Sequence, residues 1–518
     1  MTSPRLLPHQ EPHCERLEML LKRQRAALDG SPPGTGKTHI VSFISDKYDM
    51  PVVAIGPGGV VEEIWNQAIT DYDLLHYDLP HGGPYITYES LRATSRRQPK
   101  HGLLMRRESS FYPTPLLDEL IKGGTLFVFD EIQALKNKTM TLEASVAIVR
   151  RVMASENNSW VMFLSGSPFE KEEHVQNLLR AFQIMKSDYF YTNYFGNLET
   201  DGFDEIVNWV SRFDREGMDA WLAEHPFVAN AKTAKHYLYR LYADMVSKEL
   251  MSIMPKVLDT DEDGNPKASL DMKNGFYKMK RREMICYTDV VKGLGAHIHY
   301  DPGTNAIMIE AGGMAGIVNR LRKGQEAKIP IIVRLVEADL KDSHKKVVIF
   351  SDYFTVIDGL MEKLAKYNPR RLVGKVSKKD RNKYIAKFNE PNDESRILII
   401  NTKVGAKSIN LQDLTGKFPR MLYLMPSYKI NDLHQASLRT FRIGSVGLCF
   451  VRFIYGLGLT GETEQKLLDA LAKKGQILGE IMRDQNVIFP GQHENEVEEA
   501  ELEEDEIEFS DLEDEEDD

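Results

Sequence analysis

A glycine-rich loop near the start of the chain constrains its fold more than any other feature of the sequence. Residues 31–38 read SPPGTGKT, close to the pattern GxxxxGK[ST], with Ser31 in the first glycine position. Gly34 and Gly36 let backbone N–H groups turn toward phosphate oxygens, because neither residue has a Cβ in the way. The pattern therefore predicts a phosphate-binding loop at the start of a helix.

Lys37 and Thr38 complete the loop and supply its side-chain chemistry. The Lys37 ammonium is predicted to reach the β- and γ-phosphates of a nucleotide, and the Thr38 hydroxyl to hold Mg²⁺. A helix predicted over 37–48 adds the positive end of its dipole to the site. The candidate nucleotide-binding residues of the loop are Gly34, Thr35, Gly36, Lys37 and Thr38.

A pair of carboxylates supplies the partner that a phosphate loop needs for hydrolysis. Residues 126–131 read LFVFDE, which is typical of a buried strand with two acids at the carboxyl edge of a sheet. Asp130 is predicted to hold Mg²⁺, largely through water, and Glu131 to orient and deprotonate the attacking water. Further apolar strands predicted at 52–55 and 161–164 alternate with helical stretches, as in a parallel sheet.

The charge of the chain is divided unevenly along its length. The 518 residues carry a formal net charge of −11, yet residues 494–518 contain 17 Asp or Glu and no Lys or Arg. Without those 17 acids the formal charge becomes +6, which is compatible with a polyanionic partner but does not establish one. The tail, 489–518, is predicted to be disordered. It either solubilises the protein, offers a protein partner the segment EIEFSDLE, or folds back on a basic cleft as a DNA mimic.

Length and composition exclude several classes of protein. A chain of this length is expected to form two or three domains. No apolar run approaches the length of a membrane span, and the N-terminal segment lacks the apolar core of a secretion signal. Cys14, Cys286 and Cys449 are too widely spaced for a metal site or a disulfide framework, which fits a reducing compartment. We therefore expect an intracellular protein without a membrane partner.

Further motifs of the first half stand in a fixed order around these two sites. They read LPHQ at 7–10, AIGPGGVVEEIWNQAI at 54–69, ITYESL at 86–91, DEIQALKN at 130–137 and LSGSPFE at 164–170. This set resembles the Swi/Snf-type branch of helicase superfamily 2, whose DEAH-x-LKN signature here has Ile132 and Gln133 in place of Ala-His. The resemblance implies that Gln10 reads the adenine edge of ATP and that ATP and Mg²⁺ are the cofactors.

Segments of the second half extend the resemblance, which covers roughly residues 5–480. They read KKVVIFSDYFTVIDGL at 345–360, RLVGKVSKKDRNKYIAKFNE at 371–390, NTKVGAKSINLQ at 401–412, HQASLRTFRIGS at 434–445 and GETEQKLLDALAKK at 461–474. The compact size is similar to that of helicases of large DNA viruses or phages. A viral member of the family would be expected in the virus factory, and otherwise in the nucleus or cytoplasm.

The resemblance implies an α/β fold of two RecA-like parallel-sheet lobes, with a helical linker region, a C-terminal brace helix and a disordered acidic tail. The expected units are lobe 1 at 1–190, the helical linker or insertion at 191–327, lobe 2 at 328–458, the brace helix at 459–488 and the tail at 489–518. Within the linker a helix is expected at 232–252. Strands of lobe 2 are expected at 347–350, 397–400, 421–424 and 448–454.

Two arginines in the segment HQASLRTFRIGS are candidates to complete the nucleotide site. Arg439 and Arg442 stand three residues apart, and on a helix they would share one face with Gln435. Their planar guanidinium groups suit phosphate oxygens, and an arginine finger contributes about 10³ to 10⁵ in rate in other NTPases. The catalytic roles are assigned to Lys37, Asp130, Glu131, Gln435, Arg439 and Arg442.

A motor that moves along nucleic acid should grip sugar and phosphate rather than bases, since its steps cannot depend on sequence. The candidates for this grip are Thr87, Ser165, Thr402 and Lys403. The stretch 91–108 adds a set of basic residues that are either nucleic-acid contacts or an ordinary solvated loop. They are Arg92, Arg96, Arg97, Lys100, Arg106 and Arg107.

These residues favour an ATP-dependent, nucleic-acid-stimulated motor with double-stranded DNA as its partner. A first alternative is a strand-separating DNA or RNA helicase in viral transcription or replication. A second is an ATP-gated switch that remodels a protein complex through the acidic tail, whose ATP hydrolysis nucleic acid would leave unchanged.

Overall fold

Two parallel β-sheets, one in each half of the chain, organise the protein. The computed structural model describes residues 5–58, 61–93, 98–137, 139–169, 174–182, 215–224, 246–248, 250–254, 266–296, 298–300, 307–309, 314–341, 344–405, 409–458, 464–482 and 488–497.

The first lobe is built on a sheet whose described strands are all parallel. In chain order the strands are β1 (Ala26–Asp29), β2 (Val52–Gly56), β3 (Tyr85–Thr87), β4 (Leu104–Arg107), β5 (Ser110–Pro113), β6 (Leu126–Asp130), β7 (Trp160–Leu164) and β8 (Met251–Ser252). The sheet has the order β3-β2-β6-β7-β1-β8, while β4 and β5 form a separate antiparallel hairpin. The helices here are α1 (Glu11–Gln24), α2 (Lys37–Lys47), α3 (Val61–Tyr72), α4 (Tyr88–Arg92), α5 (Pro115–Lys122), α6 (Met140–Ala154), α7 (His174–Phe182) and α8 (Arg215–Glu224).

The second lobe repeats this architecture. Its strands are β9 (Ala268–Lys278), β10 (Ile298–Tyr300), β11 (Ile307–Ile309), β12 (Lys346–Ser351), β13 (Arg370–Leu372), β14 (Ile397–Asn401), β15 (Arg420–Leu424), β16 (Gly447–Leu457) and β17 (Asn495–Val497). The sheet has the order β13-β14-β12-β15-β16-β9-β17 with parallel pairing, and β10 and β11 pair separately. The helices are α9 (Arg281–Ala296), α10 (Met314–Ala327), α11 (Ile329–Lys341), α12 (Phe354–Lys363), α13 (Lys378–Asn389), α14 (Thr402–Gly405), α15 (Ile430–Ser437) and α16 (Gln465–Met482).

The apolar runs of the sequence become the central strands of both sheets. LFVFD of β6 and WVMFL of β7 are buried along their whole length, because parallel strands are covered by helices on both faces. The strands expected in both lobes are present, and so is the fold class of two parallel-sheet α/β lobes. The helix expected after the glycine-rich loop begins at Lys37 and ends at Lys47.

The region 191–327 contributes to both sheets, which a purely helical linker would not do. β8 pairs with β1 in the first lobe, and β9 pairs with β16 over eleven residues in the second. The helix expected at 232–252 is wrong at its end, because Met251 and Ser252 are extended and complete the sheet edge. Residues 232–245 and 249 of that helix lie outside the described residues. The remaining domain boundaries stay predictions.

The acidic tail begins inside the fold rather than after it. Strand β17 pairs with β9 at the edge of the second sheet, so a disordered segment beginning at residue 489 is wrong at its start. Glu496 of β17 lies 2.5 Å from the Arg452 guanidinium and 3.5 Å from the Lys273 ammonium. The ion pairs of Glu496 and the pairing of β17 with β9 therefore order the first acidic residues of the tail. Residues 498–518 lie outside the described residues.

A buried ion pair fixes the start of the brace helix to the second lobe. Lys328 Nζ donates to Glu464 Oε2 at 2.7 Å and to the Ile454 carbonyl at 3.0 Å. Tyr287 OH donates to the same carboxylate oxygen at 2.9 Å. Both charged side chains are almost fully buried, so each depends on the other for compensation. Helix α16 lies within the interval expected for the brace, 459–488.

Across the described parts of the chain, every helix is too short or too polar to cross a lipid bilayer.

We expect Glu464→Gln to lower the free energy of unfolding by about 3–5 kcal/mol, because it leaves the Lys328 ammonium buried without a counter-charge. Urea denaturation of the purified chain measures the change. Asp358→Asn is the matched control, because it breaks an ion pair with Arg371 that is more than half exposed on both sides. That control should cost less than about 1 kcal/mol. Equal losses in the two variants would contradict a structural role for the buried pair.

Candidate active site

The phosphate-binding loop joins β1 to α2 in the conformation that its glycines permit. Gly34 and Gly36 have φ of 84° and 93°, in the left-handed region that side chains disfavour. Gly36 is the N-cap of α2, so the backbone N–H groups of the first turn are left without intrahelical partners. The loop thus presents donors and a helix N-terminus to an anion, as the sequence predicted.

The Lys37 ammonium forms hydrogen bonds with backbone carbonyls of the glycine-rich loop itself. Its Nζ donates to the Ser31 carbonyl at 2.7 Å and to the Pro32 carbonyl at 3.2 Å. A cation held by neutral carbonyls exchanges them favourably for phosphate oxygens, because charge-assisted hydrogen bonds are stronger. Lys37 is therefore placed at the mouth of the loop, ready to bind a polyphosphate.

The Ser31 hydroxyl makes contacts that a glycine at this position could not make. The Ser31 hydroxyl accepts a hydrogen bond from the Met254 N–H at 2.9 Å and lies 3.4 Å from His13 Nε2. His13 also contacts the Asp29 carboxylate at 3.2 Å and the Ser252 hydroxyl at 2.8 Å. Burial raises the pKa of Asp29, but His13, Lys37 and the Ser31 N–H together outweigh it, and the pKa is lowered overall. Sequence patterns did not reveal this network, because its members lie far apart in the chain.

The two predicted carboxylates follow β6 at the carboxyl edge of the first sheet. Glu131 has φ 53° and ψ 54°, a left-handed conformation that costs a non-glycine residue roughly 1–2 kcal/mol. Residues held in such conformations concentrate at functional sites. Burial, and then the neighbouring Glu131, raises the pKa of Asp130 to about 7. Asp130 thus has a strongly raised pKa, and Glu131 has a strained backbone conformation.

A cavity of about 330 Å³ brings the predicted residues together between the lobes. From lobe 1 its walls include the phosphate loop and both carboxylates, and from lobe 2 the segment around the two arginines. The lining residues with predicted roles are Gly34, Gly36, Lys37, Thr38, Asp130, Glu131, Gln435, Arg439 and Arg442. Residues about 400 positions apart in sequence therefore face one space, as the nucleotide site requires.

The helical geometry expected for the arginines is wrong, although their convergence is confirmed. Helix α15 ends at Ser437, and Arg439 and Arg442 lie in the turn that follows. Leu438, where the family has glycine, has φ −97°, a conformation open to any residue. The turn, rather than a helix face, aims both guanidinium groups at the cavity.

The two arginines take different positions in the cavity. Arg439 is buried beside Glu131, and burial lowers its pKa to about 10 while Glu131 opposes that shift, so it remains charged at neutral pH. Arg442 packs against the loop, since a Cβ added to Gly34 would lie 2.7 Å from its Cγ. It also donates to Asn410 Oδ1. Arg439 is thus the nearer to Glu131 and Arg442 the nearer to the glycine-rich loop.

Gln133 connects the carboxylates to the next motif, a role that the sequence did not suggest. Its Nε2 donates to Glu131 Oε2 at 2.5 Å, and its Oε1 accepts from the Ser165 hydroxyl at 2.7 Å. Gln435 of lobe 2 donates to the same Glu131 oxygen at 3.3 Å. Two amides therefore hold the Glu131 carboxylate, one from each lobe.

Ser165 and Thr402, two of the predicted nucleic-acid contacts, are buried in this structure, and their role as contacts stays a prediction. Ser165 is 1% exposed and its hydroxyl serves Gln133, while Thr402 is 0% exposed. Both belong to motifs whose backbone lies at a sheet edge, which the sequence could not distinguish from an exposed position. Thr87 is half-buried and caps α4 by accepting from the Ser90 N–H, and Lys403 is exposed.

Gln10 contacts the phosphate loop. Its Nε2 donates to the Thr35 carbonyl at 3.2 Å, and its Oε1 accepts from the Leu7 N–H at 3.0 Å. The residue is 2% exposed. The amide thus supports the loop from behind, and its predicted contact with adenine stays a prediction.

Hydrogen bonds from two asparagines also join the two lobes. Asn431 of α15 donates to the carbonyls of Ser167 and Phe169 at 3.1 and 3.2 Å. Asn382 of α13 donates to Glu63 of α3 at 3.1 Å. These asparagines were not among the predicted residues, because an isolated asparagine carries no sequence signal of a domain contact.

The donor set suits Mg²⁺ held jointly with phosphate. Thr38 and Asp130 are hard oxygen ligands that line the same cavity, and Mg²⁺ is typically bound by one or two carboxylates plus substrate phosphates. In the described portion of the chain, no group of three or more His, Cys, Asp or Glu could hold a metal without such help.

The raised pKa of Asp130 predicts a pH-dependent penalty on the nucleotide-free fold. Because this pKa of about 7 lies well above the value of about 3.9 usual for an Asp in an unfolded chain, the folded chain binds the proton more tightly, so stability falls as the pH rises between those values. We expect Asp130→Asn to gain stability relative to the native chain as the pH is raised from about 4 to about 7. Urea denaturation at a series of pH values measures it. Asp46→Asn, an exposed site on α2, should show no such trend, and a flat difference for Asp130→Asn would contradict the raised pKa.

Comparison with known proteins identifies one matching domain family and several similar proteins. Residues 327–444 match the helicase conserved C-terminal domain. A protein of Acanthamoeba polyphaga mimivirus, named as a candidate ATP-dependent RNA helicase, is 22% identical over 499 residues, or 91% of this chain and 83% of the viral protein. DNA repair and recombination protein RAD54 of Saccharomyces cerevisiae is 30% identical over 152 residues, which are 29% of this chain and 16% of RAD54.

A solved structure, the Sulfolobus solfataricus SWI2/SNF2 ATPase core in complex with double-stranded DNA, covers 93% of this chain and 95% of its own at 16% identity. The TM-score between the two structures is 0.31. These matches support a Swi/Snf-type helicase of superfamily 2 and indicate a nucleic-acid-dependent ATP hydrolase.

Proposed function

We propose that the chain is a motor that couples ATP hydrolysis between its lobes to movement on double-stranded DNA. One observation carries the proposal: Gln435, Arg439 and Arg442 of lobe 2 line the same cavity as Lys37 and Glu131 of lobe 1. Neither lobe holds the full set of groups. ATP hydrolysis therefore requires the two lobes to be closed on the nucleotide. Because each round of hydrolysis depends on closure, it is coupled to movement of one lobe relative to the other.

Each group has a place in the reaction. Lys37 binds the β- and γ-phosphates, and Glu131 orients water and accepts its proton while Gln133 and Gln435 hold the carboxylate in place. Arg439 and Arg442 stabilise the negative charge that develops on the transferred phosphoryl group. Mg²⁺, when held by Thr38 and Asp130, neutralises charge on the phosphate oxygens.

Loss of the γ-phosphate removes the reason for the lobes to stay closed. The arginines then lose their anionic partner, and the amide contacts that join the lobes are few. A ligand shifts a conformational equilibrium by its differential affinity for the two states. ATP therefore favours closure, and hydrolysis allows the lobes to separate and reset their grip on DNA.

Double-stranded DNA is the proposed partner on the basis of family and charge. The chain outside its acidic end has a net positive charge, and Lys403 is exposed near the sheet edge of lobe 2. The RAD54 relatives are named as DNA repair and recombination proteins, although the chain spans less than a fifth of the length of the yeast protein. A strand-separating RNA or DNA helicase is the second candidate, favoured by the name of the mimivirus relative.

The decisive experiment compares ATP hydrolysis by the full chain with single-stranded DNA, duplex DNA and RNA. We expect duplex DNA to stimulate ATP hydrolysis most. We also expect the chain to displace the third strand of a triplex but not to separate a plain duplex. Stimulation of this kind should fall steeply with salt, because phosphate contacts release counterions. Unwinding without triplex displacement would support the helicase instead, and a rate unaffected by every nucleic acid would reject both. Lys37→Ala, which removes the phosphate-binding cation, should abolish hydrolysis in every arm.

We expect Arg442→Ala to leave ATP binding largely intact but to lower turnover at least about 100-fold, within the range known for arginine fingers. Single-turnover hydrolysis and equilibrium binding of a fluorescent ATP analogue separate the two effects. Arg371→Ala, an exposed arginine of β13, is the charge-matched control and should retain normal turnover. Near-normal turnover in Arg442→Ala would mean that Arg442 is not the finger.

A further inference from the structure

The hairpin of β4 and β5 is a part of lobe 1 that the nucleotide site does not use. Its register pairs Met105 with Tyr112 and Arg106 with Phe111. Because side chains alternate across a strand, Leu104, Arg106 and Phe111 share the inner face, while Met105 and Tyr112 share the outer one. The outer residues are 37% and 46% exposed, among the more exposed large apolar side chains described.

The inner face holds the hairpin against the end of α4. The Arg106 guanidinium donates to the carbonyls of Arg92 and Ala93, each at 3.4 Å, and to that of Glu108 at 2.9 Å. Gln98 pairs with the Arg106 backbone through two hydrogen bonds, at 2.8 and 2.9 Å. The hairpin is therefore a fixed surface rather than a loose loop.

This anchoring places the hairpin close to a predicted nucleic-acid contact. Arg92 ends the short helix α4, which begins directly after its N-cap Thr87. A helix of that length spans roughly 7–8 Å. The hairpin and Thr87 therefore lie on the same lobe, separated by about the length of this short helix.

The outer face combines an aromatic ring with positive charge. The Arg107 guanidinium lies 5.5 Å from the centroid of the Tyr112 ring, within the range of a cation–π interaction. Arg107 shares this face by the alternation of the strand and is exposed, and Glu108 is the one acid between residues 98 and 113. Rings flanked by cations are the usual platform for single-stranded nucleic acid, because every base offers a π-face and every linkage a phosphate.

We infer that the outer face of the β4–β5 hairpin binds an unpaired nucleic-acid strand, with a base stacked on Tyr112 and the adjacent phosphate held by Arg107. The inference rests on the proposed function and names a contact for it. Bases of an intact duplex are stacked on one another, so Tyr112 meets a base only where the duplex is open. The hairpin thus gives a duplex-tracking motor a contact for frayed ends, forks and single-stranded gaps.

The test separates base stacking from phosphate binding. Fluorescence anisotropy with the full chain compares labelled oligo-dT with an abasic strand of the same length. We expect Tyr112→Ala to weaken oligo-dT binding roughly tenfold and to leave abasic binding unchanged. Tyr112→Leu, which keeps apolar bulk without a ring, should behave like Tyr112→Ala, while Tyr112→Phe should bind as the native chain does. Arg107→Ala should weaken binding of both strands and reduce the salt slope by about 1.

Controls distinguish a failed inference from a failed function. Phe354→Ala removes another exposed aromatic, on α12 of lobe 2, and should not alter binding of either strand. The thermal unfolding midpoint of each variant establishes that it is folded. Native binding that is insensitive to Tyr112, or a loss that is equal on both strands, would overturn the stacking contact alone. A native chain that binds neither strand nor duplex, and whose ATP hydrolysis nucleic acid does not stimulate, would overturn the proposed function.

Discussion

The contact between the Glu131 carboxylate and lobe 2 is the interaction on which the closed arrangement depends. Arg439 is buried beside this carboxylate, and Gln435 donates to it at 3.3 Å. A guanidinium in a low-dielectric environment needs a counter-charge, and the Glu131 carboxylate supplies it. The same carboxylate is held by an amide of lobe 2, so this contact joins the two lobes at the cavity.

The phosphate loop is supported from behind by a polar network. His13 of α1, Asp29 of β1 and Ser252 of β8 meet beneath the loop, and Ser31 binds the Met254 N–H. Ser252 and Met254 belong to the last described segment of lobe 1 before the chain passes to β9 in lobe 2. The carbonyl of the same Ser31 accepts from Lys37. One residue thus touches both the phosphate-binding lysine and the segment that leads to the other lobe.

Sequence patterns predicted the elements that repeat a simple physical rule. Continuous apolar runs such as LFVFD predicted buried parallel strands, and Gly34 and Gly36 predicted positive φ where the backbone turns around phosphate. Patterns failed where the environment of a side chain depends on distant chain. Ser165 is buried against Gln133, and β8 and β17 complete sheets from regions predicted as linker and tail.

The sequence by itself determined the two parallel-sheet lobes, the glycine-rich loop and the identity of the predicted residues that line the shared cavity, because spacing and residue type carry that information locally. Only the tertiary structure decided that a turn after Ser437 aims the arginines, that Gln133 and Gln435 share Glu131, and that the hairpin presents Tyr112 outward. These arrangements depend on hydrogen bonds and burial between segments that are far apart in the chain. Their geometry is set by packing, which no local pattern encodes.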